Sequence, residues 1–168
     1  GGVGKTTLAK EVAKRVKEEK LFDEVMMATV TQNFEVRKIQ GEIADMLGFN
    51  FVQESETGRA DALRGRLRLK KRFLVILDDV WKSLELKDIG IPFSNAGTGC
   101  KILMTSRSEE VCNDMGAQKI IPVQVLDNEE AWNLFKEMAG IPQDDPNFQS
   151  TKMAVANECG GLPLALKG

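Results

Sequence analysis

The chain has 168 residues, of which 42% are hydrophobic and 29% are charged, a composition typical of a globular domain. A formal net charge of −2 provides no general attraction to nucleic acid or to an anionic membrane. The sequence contains no histidine, which excludes His-ligated metal sites and histidine acid–base chemistry. Any catalysis must therefore use carboxylates, Lys, Arg and a bound metal ion.

Two further features limit the classes of protein to which the chain can belong. The longest strongly apolar run, residues 73–77, is far too short to span a bilayer. The three cysteines make an odd number and show no C-x-x-C spacing. This pattern favours reduced, structural thiols in a cytosolic protein.

The first seven residues, Gly-Gly-Val-Gly-Lys-Thr-Thr, read as the end of a phosphate-binding P-loop. Backbone N–H groups of Gly2, Val3 and Gly4 can converge on phosphate oxygens, because the glycines lack a Cβ. Lys5 supplies a positive charge for the β- and γ-phosphates, and the Thr6 hydroxyl can complete the shell of Mg²⁺. The chain is therefore expected to bind a nucleoside triphosphate or diphosphate with Mg²⁺.

The full P-loop pattern starts with a glycine upstream of residue 1, so we expect the chain to begin inside the motif, without the strand that normally precedes it. The alternative is a flexible, glycine-rich terminus. Leu8, Val12 and Val16 argue against it, because their spacing predicts an amphipathic helix that starts at Lys5 or Thr6. A helix N-terminus aimed at a phosphate is what the loop requires.

Strands and helices alternate along the next hundred residues. Residues 25–30 predict a strand, and the continuous apolar run at 73–77 predicts a strand buried on both faces. Further strands are expected at 101–105 and at 119–126, where Pro122 favours a strand end or sheet edge. Between them, two sets of residues show helical spacing. The first set is Val36, Ile39, Ile43, Met46 and Leu47, and Gly48 is placed to terminate that helix. The second set is Leu63 and Leu67. This alternation predicts a parallel sheet flanked by helices.

The pattern changes after Leu126, where we expect no further strand. A helix with Leu134 and Phe135 in its buried stripe should begin near Asp127, and another should span about residues 147–158. We therefore predict a nucleotide-binding subdomain over residues 1–124 and the start of a small all-α subdomain over residues 125–168.

A basic cluster precedes the central strand. It consists of Arg64, Arg66, Arg68, Lys70, Lys71 and Arg72. The cluster contains no interleaved aromatic residues and shares its helix with the inward Leu63 and Leu67. A solvated helical face is favoured over a nucleic-acid site.

Polar residues follow two of the predicted strands. Asp78 and Asp79 end the most hydrophobic strand, where one carboxylate can hold Mg²⁺ and the second can orient or deprotonate the attacking water. A simple turn is the alternative for the Asp pair. Arg107 follows the next strand and can reach a γ-phosphate if that strand lies between the P-loop strand and the Asp78 strand.

Several ordered motifs resemble one family, the NB-ARC nucleotide-binding domain of plant disease-resistance proteins with leucine-rich repeats. The resemblance covers the whole chain, from the P-loop to a Gly-Leu-Pro-Leu motif. The motifs are the P-loop, Phe-Leu-Val-Ile-Leu-Asp-Asp-Val-Trp at 73–81, Gly-Cys-Lys-Ile-Leu-Met-Thr-Ser-Arg at 99–107, Glu-Ala-Trp-Asn-Leu-Phe at 130–135 and Cys-Gly-Gly-Leu-Pro-Leu-Ala at 159–165. Trp81 resembles the coiled-coil class rather than the class with a Toll/interleukin-receptor domain.

The resemblance implies a fold, a function and roles for individual residues. The fold is that of a P-loop NTPase, here without its first strand. Members act as switches that rest with ADP, are activated with ATP and are reset by slow hydrolysis in the cytoplasm. By similarity Lys5, Thr6 and Thr7 hold phosphates and Mg²⁺, with Thr6 and Asp78 at the metal. The further roles implied are Asp79 as catalytic base, Arg107 as γ-phosphate sensor and Pro163 as a contact to the nucleotide from the helical subdomain.

The same resemblance implies that the parent protein contains coiled-coil, winged-helix and leucine-rich-repeat domains and self-associates on activation. The competing interpretation is a P-loop kinase or metabolic NTPase, which shares the loop and the acidic strand end. The segment after Leu126 lacks the arginine-rich lid of a kinase. A related signalling ATPase from outside plants is the third interpretation.

Overall fold

The computed structural model describes residues 2–69, 72–92, 99–117, 119–122, 129, 132–133, 135–136 and 163–167. Five helices lie wholly within these residues: α1 (Gly2–Glu18), α2 (Val36–Met46), α3 (Glu56–Arg68), α4 (Leu86–Ile89) and α5 (Glu109–Asp114). The strands are β1 (Glu24–Thr31), β2 (Arg72–Val80), β3 (Gly99–Ser106), β4 (Lys119–Pro122) and β5 (Pro163–Lys167).

The strands form one sheet in the order β1-β2-β3-β5-β4, and every neighbouring pair is parallel. Val75 of β2 lies opposite Met26 of β1 and Ile102 of β3, so β2 is an interior strand. Parallel neighbours require crossover connections, which the intervening helices provide. The predicted fold class, a P-loop NTPase sheet flanked by helices, is confirmed.

The core lies on both faces of the sheet. On one face Phe73, Val75 and Leu77 pack with buried residues of α2 and α3. On the other face Leu74 and Ile76 pack with the apolar stripe of α1, which consists of Leu8, Ala9, Val12, Ala13 and Val16. Because β2 is covered on both sides, it needs a continuous apolar run rather than an alternating one.

Several predicted element ends are confirmed. Gly48 follows α2 with a φ of +64°, the left-handed conformation that glycine adopts without strain. Pro122 is the last residue of β4, which is an edge strand. At a sheet edge, the missing N–H of proline does not deprive a neighbouring strand of a hydrogen-bond donor.

The expectation that no strand follows Leu126 is wrong, because β5 (Pro163–Lys167) lies inside the sheet between β3 and β4. Both neighbours present a row of backbone N–H and C=O groups that must be hydrogen-bonded within a buried sheet. The short apolar segment at residues 164–166 supplies these partners.

Most of the remaining C-terminal segment lies outside the described residues, including the helix predicted at about 147–158. Trp132 and Phe135, from the first predicted helix, are buried against the α1 face of the sheet. The division at residue 124 therefore remains a prediction. Within the described residues, no helix combines the length and apolar character needed to cross a membrane.

Candidate functional site

Helix α1 points its N-terminus towards the site. It begins at Gly2, three residues before the earliest predicted start, so Gly2, Val3 and Gly4 belong to its first turn. The first four N–H groups of any α-helix have no partner within the helix, and the helix dipole is positive at this end. The glycine-rich segment therefore offers backbone donors suited to a phosphate.

Lys5 is buried at this end of α1. Its side chain is 2% exposed, and its Nζ atom has no hydrogen-bond partner among the described residues. Burial lowers the pKa of the Lys5 ammonium, and the nearby charge of Arg107 lowers it further. The carboxylates of Asp79 and Asp78 oppose this shift. A buried cation without a hydrogen-bond partner is costly, and an anionic phosphate would satisfy it.

Asp78 lies at the carboxyl end of β2 and is 2% exposed. Its two carboxylate oxygens are held by hydroxyl groups from two different elements. The Thr6 hydroxyl of α1 donates to Oδ2 at 2.8 Å, and the Thr105 hydroxyl of β3 donates to Oδ1 at 2.5 Å. The P-loop helix, the acidic strand end and the next strand are thus joined through one carboxylate.

The Thr6–Asp78 pair fits a Mg²⁺ site. Mg²⁺ is usually held by one or two carboxylates together with phosphate oxygens and water, rather than by an all-protein cage. The described residues contain no cluster of three or more Cys, Asp or Glu side chains arranged for a metal ion. One carboxylate and one hydroxyl beside the phosphate-facing end of α1 match the donor set that a nucleotide-bound Mg²⁺ uses.

Asp79 departs from regular strand geometry. Its φ is +63°, and the pairing of β2 with β3 shifts register between Leu77 and Val80. A non-glycine residue in the left-handed region costs about 1–3 kcal/mol unless its surroundings hold it there. The Asp79 N–H donates to the Thr105 hydroxyl at 2.8 Å, which fixes this conformation.

Arg107 follows the last residue of β3 and is exposed. Strand β3 lies next to β2, the Asp78 strand, which is one of the two neighbours that the predicted role of Arg107 required, and its other neighbour is β5. The Arg107 guanidinium carbon lies 5.2 Å from the centroid of the Trp81 ring. Its effect on Lys5 places its charge close to the N-terminus of α1.

The structure brings together Lys5, Thr6, Asp78, Asp79 and Arg107, while Thr7 is exposed on the same turn of α1. Pro163 does not join them. It pairs with Ile102, four residues before Ser106, so it lies about 13 Å from the carboxyl edge of the sheet. The placement of Pro163 against the nucleotide therefore disagrees with the structure, because the strand that contains it occupies the middle of the sheet.

Sequence reasoning missed two residues at this edge, Thr105 and Trp81. Thr105 is fully buried and contacts both Asp78 and Asp79. The only available signal was a polar residue at the end of an apolar strand. Trp81 was interpreted only as a marker of the coiled-coil class, and its contact with Arg107 was not predicted.

The basic cluster has partners within the domain. Arg64 donates to the Asp61 carboxylate at 2.8 Å and to the Lys87 carbonyl at 2.7 Å. The Arg66 guanidinium carbon lies 5.9 Å from the Phe49 ring centroid. These arginines attach α3 to its surroundings, in line with the helical-face interpretation.

Comparison with known proteins identifies the family. A family model for the NB-ARC domain, a nucleotide-binding domain, matches residues 1–145. Three Arabidopsis thaliana relatives are disease resistance protein At4g27190 (38% identical), disease resistance protein RFL1 (38%) and disease resistance protein RPS5 (37%). Each match covers 99% of this chain but only 17–19% of the relative, so the chain spans about a fifth of their length. The chain belongs to the NB-ARC domain family.

Proposed function

We propose that this chain is the ADP/ATP-binding switch module of an intracellular plant immune receptor, with slow Mg²⁺-dependent ATP hydrolysis that resets the switch. The main supporting observation is the buried Lys5 Nζ, which has no hydrogen-bond partner among the described residues. It lies at the N-terminus of a helix and beside a carboxylate–hydroxyl pair. A phosphate chain would supply the missing partner of Lys5 Nζ, and its metal ion would bind beside the Thr6–Asp78 pair.

Each site residue has a separate role in this proposal. Lys5 and the N–H groups of Gly2, Val3 and Gly4 bind phosphate oxygens, and Thr6 and Asp78 hold Mg²⁺. The metal ion, when bound, neutralises negative charge on the phosphates. Asp79 orients the attacking water and accepts its proton. Arg107 donates to the γ-phosphate and so distinguishes ATP from ADP.

The wider biological role rests on the relatives. Their names describe disease resistance, and we extend this to the protein that contains the chain. We further propose that it contains coiled-coil, winged-helix and leucine-rich-repeat domains and self-associates when activated. A cytoplasmic location agrees with Cys100, which is buried and forms no disulfide. Burial also raises the pKa of the Cys100 thiol to about 12, which makes it unreactive at neutral pH.

Nucleotide calorimetry on the complete protein tests the binding assignment. Lys5→Ala should weaken ADP and ATP binding by at least about 30-fold, since it removes a buried charge that pairs with phosphate. Lys10→Ala is the matched control, because Lys10 is on the same helix but exposed. Wild-type ADP affinity in Lys5→Ala would refute the assignment.

Turnover separates the switch from a P-loop kinase or metabolic NTPase. A switch should release phosphate slowly and transfer none to an acceptor. Rapid multiple turnover, or phosphoryl transfer to a small molecule, would instead support the enzyme interpretation.

A further inference from the structure

Trp81 and Arg107 form a cation–π contact at the carboxyl edge of the sheet. The guanidinium carbon is 5.2 Å from the ring centroid, within the range of about 6 Å at which such contacts are attractive. Trp81 is 40% exposed, an unusual degree of exposure for a large aromatic side chain. Among the described residues, the Trp81 ring contacts the Arg107 guanidinium directly.

The backbone fixes the two side chains next to each other. Val80 lies opposite Ser106 in the β2–β3 pairing. The Ser106 hydroxyl donates to the Val80 carbonyl at 2.7 Å and accepts from the Ser108 N–H at 3.2 Å. Because Trp81 and Arg107 are the residues that follow this tied pair, they leave the sheet at the same point.

Stacking on Trp81 leaves Arg107 able to bind an anion. A guanidinium group can place its flat face on an aromatic ring while its edge donates hydrogen bonds. In the stacked position Arg107 directly follows β3 at the same carboxyl edge of the sheet as Asp78, which accepts a hydrogen bond from Thr105 of β3. Stacking and phosphate binding are therefore compatible, and a group held in its bound position loses less entropy on binding.

We propose that Trp81 is a positioning residue for Arg107, and that the aromatic ring at this position sets the preference of the site for ATP over ADP. The proposal rests on the proposed nucleotide-switch function and adds a specificity-determining residue to it. Trp81 itself need not touch the nucleotide. Its contribution is to hold the guanidinium where a γ-phosphate can accept from it.

A double-mutant cycle in the complete protein tests this proposal. Dissociation constants for ATP and for ADP are measured by calorimetry for the wild type, Trp81→Leu, Trp81→Phe, Arg107→Ala and the Trp81→Leu/Arg107→Ala double variant. Leu69→Ala is the control, because Leu69 is an exposed apolar residue that precedes β2 at the opposite edge of the sheet. Thermal melting of each variant checks that folding is retained.

Arg107→Ala should reduce the ATP preference by about tenfold or more, the scale of a charge-assisted hydrogen bond. Trp81→Leu should reduce it about two- to fivefold, the scale of an exposed cation–π contact, whereas Trp81→Phe should retain most of it. In the Arg107→Ala background, Trp81→Leu should have no further effect. Leu69→Ala should behave as the wild type.

Different failures have different meanings. If Arg107→Ala lowers the ATP preference but Trp81→Leu does not, or raises it, the role of Trp81 is refuted while the proposed function stands. An equal effect of Trp81→Leu with and without Arg107 would also refute it. If the wild type binds no nucleotide, the proposed function fails, and the role of Trp81 fails with it. If Arg107→Ala leaves the preference unchanged, the sensor role of Arg107 and the dependent role of Trp81 both fail, while nucleotide binding stands.

Discussion

Thr6 and Asp78 are 72 positions apart in the sequence, and the Thr6 hydroxyl donates a 2.8 Å hydrogen bond to the Asp78 carboxylate. The contact joins the start of α1 to the carboxyl end of β2. In parallel α/β sheets ligands bind beyond the carboxyl ends of the strands, where helix N-termini also lie. The two groups that the sequence assigned to Mg²⁺ from separate motifs therefore meet at the expected edge.

Asp78→Asn should remove the Mg²⁺ dependence of nucleotide binding. The amide keeps the shape of the side chain and can still accept from Thr6, but it carries no charge for a metal ion. We expect ATP affinity in Mg²⁺ to fall by about tenfold or more, and hydrolysis to fall with it, while affinity in EDTA stays near that of the wild type. Titrations with and without Mg²⁺ measure this. Asp114→Asn, at an exposed position, is the control and should respond to Mg²⁺ as the wild type does. The same wild-type response in Asp78→Asn would contradict the metal assignment.

Asp79→Asn should separate binding from hydrolysis. Asn tolerates the left-handed conformation of Asp79, with its φ of +63°, better than Ala does, so the substitution removes the charge without adding backbone strain. ATP affinity should remain within about twofold, whereas single-turnover hydrolysis should slow by about 10²-fold or more. Asp79→Gly, which also accepts this φ, should behave in the same way. Unchanged hydrolysis in Asp79→Asn would remove Asp79 from the mechanism.

Thr105→Val should destabilise the domain and impair hydrolysis. Valine keeps the shape but leaves the Asp79 N–H without its acceptor and Asp78 Oδ1 without its donor. An unsatisfied buried polar group costs about 1–3 kcal/mol, which urea denaturation should detect. Because Asp79 loses the bond that holds its conformation, single-turnover hydrolysis should slow as well. Thr105→Ser restores the hydroxyl and should recover both properties; failure of Ser to do so would show that the methyl group, not the hydroxyl, matters.

Much of the fold could be predicted because apolar spacing records which faces are buried. The run at residues 73–77 predicted an interior strand, and Leu63 and Leu67 predicted the inward face of α3, where both are fully buried. The P-loop residues and Asp78 could be singled out from the sequence because each belongs to a local motif, and the structure places Lys5, Thr6 and Asp78 close together.

Features that depend on strand order could not be predicted in the same way. Thr105 acquires its role only because β3 lies beside β2, and Asp79 leaves the regular strand because of a register shift. Strict alternation of side chains along β2 would have assigned Asp78 and Asp79 to opposite faces, but a bulge breaks that rule. The strand at residues 163–167 was missed because its apolar run is short, and because its pairing with β3 is not encoded within the segment itself.

Gly90→Ala should destabilise the domain through the backbone alone, at a position remote from the proposed nucleotide chemistry. Gly90 ends α4 with a φ of +107°, and a Cβ there would lie 2.5 Å from the Ala60 carbonyl oxygen of α3. The conformation costs a non-glycine residue about 1–3 kcal/mol, and the clash with main-chain atoms adds to it. Gly41→Ala provides the matched control, because Gly41 is inside α2 and a Cβ there meets no atom within 4 Å. That substitution should stabilise the helix by about 0.5–1 kcal/mol.

Urea denaturation of both variants tests whether the two substitutions change the free energy of unfolding in opposite directions. Opposite shifts from two identical chemical changes would show that the backbone at position 90 requires glycine, since the change in composition is the same in both. Equal stability of Gly90→Ala and the wild type would mean that α4 can move away from Ala60 at no cost. Such a movement would have to leave intact the hydrogen bonds that the Gln40 amide donates to the Asp88 and Ile89 carbonyls at 3.3 and 3.2 Å.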